Sequence, residues 1–353
     1  MRSISMRESV VLVIIGVALL LPRAAFAQST QPSDTDVARM AIIARLEALQ
    51  NIAVDYDDTI EYFPQKVAID RTLPNGARLQ TLIGKELFAE TYSYLNGNAL
   101  WTSKMSDETI RWYTQRNSIP SILRVALLKE NRLEMYDQRP HNDLGGLIEG
   151  HSKWPGPLVD VGLGLRAKFP GEAQWMTADR IKGMALSFDE LHRVILSEIL
   201  PNGFVNEYTF SPSVGYALCR SRTVSPSHAY TARFPDEIDA DDFRKVGSFM
   251  MPYRIVNRLF VPGGKDIFRQ EFVVSSFKLD DPGNSDSRYV IKWPKGIIVT
   301  DARTGGYVRT TQEDQILTED VLAGLIRKQE AAHSAYLRGS TTAPSDSVSP
   351  SSK

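Results

Sequence analysis

The chain has 353 residues, 42% hydrophobic and 24% charged, which is ample apolar material for a packed core. Its 41 basic and 42 acidic side chains leave a formal charge of −1, so no broad field gathers polyanions and no nucleic-acid partner is expected. A single cysteine, Cys219, closes no internal disulfide; in GYALCRSRTV it reads as a small apolar strand residue rather than a reactive thiol.

At the N-terminus, Arg2 and Arg7 precede an apolar run from Val10 to Leu21, and Ala25-Phe26-Ala27 follows it. The run is too short for a bilayer core of about 30 Å, and the small-x-small tripeptide fits a signal-peptidase site. Residues 1–27 therefore read as a cleaved signal peptide, which implies a periplasmic mature chain with no integral membrane segment. Residues 28–34 read as a disordered start and the Ser/Thr/Pro-rich residues 338–353 as a disordered tail, leaving 35–337 as one domain.

Asp34 and Asp36 offer caps to VARMAIIARLEALQ, in which Ile42, Leu46 and Leu49 share one helical face. NIAVDYDDTIEYF then switches to a period of two, with Ile52, Val54, Tyr56, Ile60 and Tyr62 on one face and Asp55, Asp57, Thr59 and Glu61 on the other. A strand does not wrap its carboxylates around a cation, so this acidic row reads as a solvated face and no metal is expected.

Asn96-Gly97 in AETYSYLNGNALWTSKM marks a hairpin, and TIRWYTQ continues the strand pattern. SILRVALLKENRLEMY, with Ile122, Leu123, Ala126 and Leu127 apolar, reads as a helix. HNDLGGLIEGHSKWPGPLVDVGLGLRAK reads as a long irregular excursion, of a length uncommon unless it is functional or covers something. SFDELHRVILSEIL places Ser187 and Glu190 at capping-box spacing for a helix, yet VILSEIL also fits a strand. Further antiparallel pairs are expected around Ser211-Pro212-Ser213 and Pro262-Gly263-Gly264. Arg288 to Thr310 reads as strand, turn, strand, turn, strand, with Tyr289, Ile291 and Trp293 facing a core and Asp301 serving the second turn.

The excursion also holds fragments of enzyme motifs. Gly150-His151-Ser152-Lys153-Trp154 is half of a nucleophile elbow, but Trp154 stands where the tight turn needs a second glycine. Gly162 to Ala167 matches G-x-G-x-x-A without a parallel strand unit before it. His141 and His151, with Asp143, are the only close histidine pair, and His192, His228 and His333 show no i, i+4 spacing. The chain reads as non-enzymatic, with no catalytic set and no cofactor.

Three stretches carry a resemblance: Phe210 to Arg220, Pro252 to Phe260 and Glu271 to Tyr307, the last including FVVSSFKLDDPGNSDSRYVIKWPKGIIVTDARTGGYV. With the N-terminal helix and export signal, they resemble the periplasmic lipoprotein-sorting carriers of the LolA/LolB type, closest to their large, divergent exported relatives. The resemblance implies a mainly β (α+β) fold: a curved antiparallel sheet, or half-open β-barrel, covered by helices and holding acyl chains on an apolar inner face. Residues 117–180 then form an inserted helical and loop region. Val54, Tyr56, Ile60, Tyr62, Ile291 and Trp293 are the expected ligand-cavity residues, covered by helices at Val37 to Gln50 and Ile122 to Leu128. The expected partner is a lipid or acylated lipoprotein. The alternative is a protein-interaction module of envelope sensing, bound to an envelope protein partner, with its cavity filled by its own side chains. A hydrolase using the His141 to Trp154 region is a third reading.

Overall fold

The computed structural model describes residues 33–63, 84–115, 120–130, 132–139, 144–150, 158–167, 175–201, 203–224, 236–261 and 265–340. The expected signal peptide (residues 1–27), His141, Asp143, His151 to Trp154 and the expected turn at Pro262-Gly263-Gly264 lie outside the described residues. By its contacts the chain divides into a short unit ending at Val37 and a body from Ala38 onward. In the first, Ser33 is the cap: its Oγ accepts from Asp36 N at 3.2 Å while Asp36 Oδ2 accepts from Ser33 N at 3.3 Å, a reciprocal box that starts helix α1 (Asp34–Ala48).

One sheet of 15 strands organises the body. In chain order the strands are β1 (Asn51–Tyr62), β2 (Gly84–Leu95), β3 (Asn98–Met105), β4 (Leu123–Lys129), β5 (Arg132–Gln138), β6 (Leu144–Gly150), β7 (Ala185–Phe188) and β8 (Val194–Ile199). They continue as β9 (Val205–Ser211), β10 (Ala217–Val224), β11 (Asp236–Val246), β12 (Phe249–Val261), β13 (Lys265–Leu279), β14 (Ile298–Asp301) and β15 (Gly306–Arg309). The sheet is open and curved, running β15-β14-β6-β5-β4-β3-β2-β1-β13-β12-β11-β10-β9-β8-β7. Every pairing is antiparallel except β14 with β6, which is parallel. The stretch at Arg288 to Thr310 thus yields two strands, not three; its first part is buried without joining a strand.

Expected elements between the strands change type. SILRVALLKENRLEMY is not a helix but β4 and β5, turning at Glu130, whose φ is 50°. Both faces of these strands are covered, so their apolar residues do not alternate and mimic helical spacing. TIRWYTQ is the reverse case and belongs to helix α2 (Asp107–Thr114), capped by Ser106 Oγ, which accepts from Thr109 N at 3.2 Å. The region expected as an insertion contributes β4 to β6 to the sheet, then helix α3 (Val159–Gly162) and the first residues of helix α4 (Ala178–Gly183). VILSEIL is strand β8, the second of its two readings. Helix α5 (Glu319–Ser340) closes the described chain, and the sequence reading gave no element there.

The two faces of the sheet carry two separate cores. On the inner face, Tyr92, Trp101, Ala126, Phe210, Met251, Ile255 and Phe272 pack against Ile42, Leu46 and Leu49 of α1. Residues one position out of phase, such as Leu100, Leu127 and Ile148, face the other way. They pack against Tyr289, Ile291, Trp293, Val299, Leu317 and Leu322 of the C-terminal segment.

Candidate functional site

Val54 and Tyr56 are fully buried on the inner face, and Ile60 and Tyr62 lie half-buried farther along the same strand face. Ile291 and Trp293 are buried in the outer core, beyond the sheet. The expected cavity residues therefore form two groups on opposite faces. The reason is topological: the chain after β13 crosses to the outer side and lays Trp293 on Tyr136 and on the glycine at 146, whose place a Cβ would take from the Trp293 ring.

The inner face is closed by the chain's own residues. From Leu158 to Ala167, the second half of the Gly- and Pro-rich excursion, Val159, Val161, Leu163 and Leu165 enter the core and α3 packs against β10, β11 and β12. Gly162 is required at this seat, because an added Cβ would stand 2.6 Å from Ile255 Cγ2. Asp160 and Arg166, both buried, pair within the plug at 2.8 Å. The G-x-G-x-x-A pattern is thus a packing motif. The excursion covers something, as its length suggests.

α1 is held over the same face by two arginines. Arg39 Nη1 bonds the carbonyls of Ile181, Lys182 and Met184 at the end of α4. Arg45 Nη2 donates to Met250 O at 2.7 Å, its guanidinium lies 5.6 Å from the Phe249 ring centre, and burial lowers its pKa to about 10.

Beyond the plug the inner face turns polar. A continuous cross-strand row runs Tyr208, Ser221, Ile238, Asn257, Gln270, Ile60, Glu86, with Asp58 and Glu90 beside it. Gln270 Nε2 donates to Asp58 Oδ2 at 2.6 Å, and Asp58 Oδ1 is buried without a partner. Trp101 Nε1 donates to Glu90 Oε2 at 3.1 Å, and Tyr113 donates to Glu86. Burial raises the pKa of all three carboxyls, and at Asp58 the neighbouring Glu90 and Glu86 raise it further. Sequence reading missed this trio. The signal was parity: Asp58 falls on the same strand face as Tyr56 and Ile60.

Other sequence candidates resolve structurally. Cys219 sits at a bulge in β10, and burial pushes its thiol up, against a thiolate role. Asp301 is more than a turn residue: it is buried and bonds Arg303 through the backbone N at 3.0 Å and through Nε and Nη2 at 2.9 Å each. Arg303 in turn bonds Glu319 of α5. Among the described residues no helix is long and apolar enough to cross a membrane.

No protein-family model and no curated protein matches the sequence. Among solved structures, the chain is similar to a DUF1329 family protein from Desulfovibrio piger, at 10% identity and a TM-score of 0.42, covering 73% of this chain and 100% of that one. It is also similar to a LolA superfamily protein from Nitrosomonas europaea, at 11% identity and a TM-score of 0.36, covering 71% of this chain and 96% of that one. The fold itself is one open, curved, mainly antiparallel sheet with helical elements on its inner face.

Proposed function

We propose that this is an exported, non-enzymatic binding protein that takes the acyl part of a lipid or acylated lipoprotein onto its inner face, in exchange for the Leu158–Ala167 plug. One observation carries the reading: the apolar inner face is sealed by a short segment that contributes no strand to the sheet and contains a buried ion pair. Such a pair costs desolvation energy that an all-apolar plug would avoid. An acyl chain gains about 0.8 kcal/mol per buried CH₂, enough to compete for the site as its length grows.

The second reading is the protein-interaction module, favoured by the fact that the plug already fills the face. Titration of delipidated, folded protein with fatty acids of increasing length, followed by Trp fluorescence, separates the two. Affinity that climbs with chain length supports the carrier. A flat response at all lengths removes it and leaves the interaction module.

A further inference from the structure

Arg258 of β12 and Arg269 of β13 are direct cross-strand partners on the outer face, so two like charges stand opposite each other. They line a half-open hollow of about 440 Å³ together with Arg193, Arg220 and Arg254. Asp239, Asp241 and Asp266 line it as well, and Glu237 and Glu271 pair with its arginines from just outside the lining.

The pairing is shared rather than one to one. Asp239 accepts from Arg220 at 2.8 Å and also from Arg258, whose guanidinium lies 3.4 Å from Glu237. Glu271 accepts from Arg254 at 2.6 Å and also from Arg269 at 3.0 Å, while Arg254 reaches Asp241 at 2.8 Å. In both Arg258 and Arg269, Nε is buried and without a partner. Arg258 therefore shares Asp239 and Glu237 with Arg220, Arg269 shares Glu271 with Arg254, and the two guanidinium groups face each other. A tetrahedral oxyanion between them would accept from both forks and remove the like-charge contact.

We propose that this hollow binds a phosphate group, bridged by Arg258 and Arg269. It lies on the face opposite the plug, so it is independent of acyl binding. The hollow is larger than a bare phosphate and within the size range of small-molecule sites, so the group arrives either as a free phosphate compound or as a phospholipid headgroup.

The test uses the whole mature chain at fixed ionic strength. Inorganic phosphate is titrated against the thermal midpoint and by calorimetry, and phosphatidylglycerol vesicles are compared with phosphatidylcholine vesicles in co-sedimentation. Saturable phosphate binding, weakened at least 10-fold by R258Q/R269Q and less by R258K/R269K, is the expected result. R222Q is the control, since Arg222 pairs with Glu207 outside the hollow. Phosphate binding without sedimentation assigns a free compound; sedimentation with phosphatidylglycerol alone, competed by phosphate, assigns a headgroup. No binding of either probe, or binding unchanged in a double variant that keeps the parent thermal midpoint, overturns the proposal.

Discussion

Arg166 Nε lies 2.8 Å from Asp160 Oδ2 inside the plug, with side chains 6% and 0% exposed. A pair so deeply withdrawn from water is expensive to break and cheap to replace as a unit. Arg166→Ala, which strands the Asp160 carboxylate, should cost about 3 to 5 kcal/mol. The joint change Asp160→Leu with Arg166→Met should restore most of that. Urea unfolding of the three proteins measures both.

The inner carboxyls give stability a defined pH dependence. Asp58, Glu86 and Glu90 hold protons in the folded chain at pH values where the unfolded chain has released them, because burial raises each folded pKa above its ordinary value near 4. Their contribution is fully present below that ordinary value and is lost as pH rises through the raised ones. Glu134 and Glu237, also raised by burial, act in the same direction. Asp301 acts oppositely: Arg303 depresses its pKa, so that contribution is present above the ordinary value and lost as pH falls through the depressed one. Unfolding free energy measured in steps from pH 3 to 8 should therefore fall on the alkaline side. Asp58→Asn should flatten that limb and leave the acid limb unchanged.

The outer core rests on Trp293, fully buried, its ring tilted against Tyr136 and its Nε1 donating to Glu134 at 3.3 Å. Trp293→Ala should cost about 3 to 5 kcal/mol. Gly146→Ala should also destabilise, because its Cβ meets the same ring. Thermal unfolding checks both, and a Gly146→Ala midpoint equal to that of the parent would contradict the close approach.

Asp301→Ala separates a turn residue from a network residue. A turn role alone costs under about 1.5 kcal/mol. Loss of the charge-assisted bonds to Arg303, which leaves Arg303 held by Glu319 alone, should cost about 1.5 to 3 kcal/mol. Arg303→Ala should not add fully to it in the double variant.

How legible this was in the sequence depended on whether a strand had one covered face or two. β1 alternates in burial from Val54 to Asp58, and the Asn96-Gly97 hairpin is formed with φ of 48° and 89°. β4 and β5, covered on both faces, lost their alternation and passed for a helix. The membership of Val54 and Trp293 in different cores was not readable, because nothing local records to which side the chain crosses after β13. The Asp58–Glu86–Glu90 trio depends on the register of β1 against β2, which pairs Ile60 with Glu86 and Tyr56 with Glu90. That register is a tertiary fact, though the parity of Asp58 alone pointed inward.

The plug offers the sharpest handle on function. Gly162 seats α3 against Ile255, where an added Cβ would stand 2.6 to 3.1 Å from three of its side-chain carbons. Gly162→Ala should therefore loosen the plug while leaving every strand pairing intact. If an acyl chain binds only when the plug is out, its apparent affinity is the intrinsic one scaled by the fraction of open molecules. A destabilisation of about 1.4 kcal/mol at the plug alone then raises that affinity about 10-fold, at unchanged chain-length dependence. Parallel fatty-acid titrations of parent and Gly162→Ala protein measure it, with hydrogen exchange at Leu158 to Ala167 reporting the loosening directly. Faster exchange there with no gain in affinity would show that plug release and acyl binding are uncoupled.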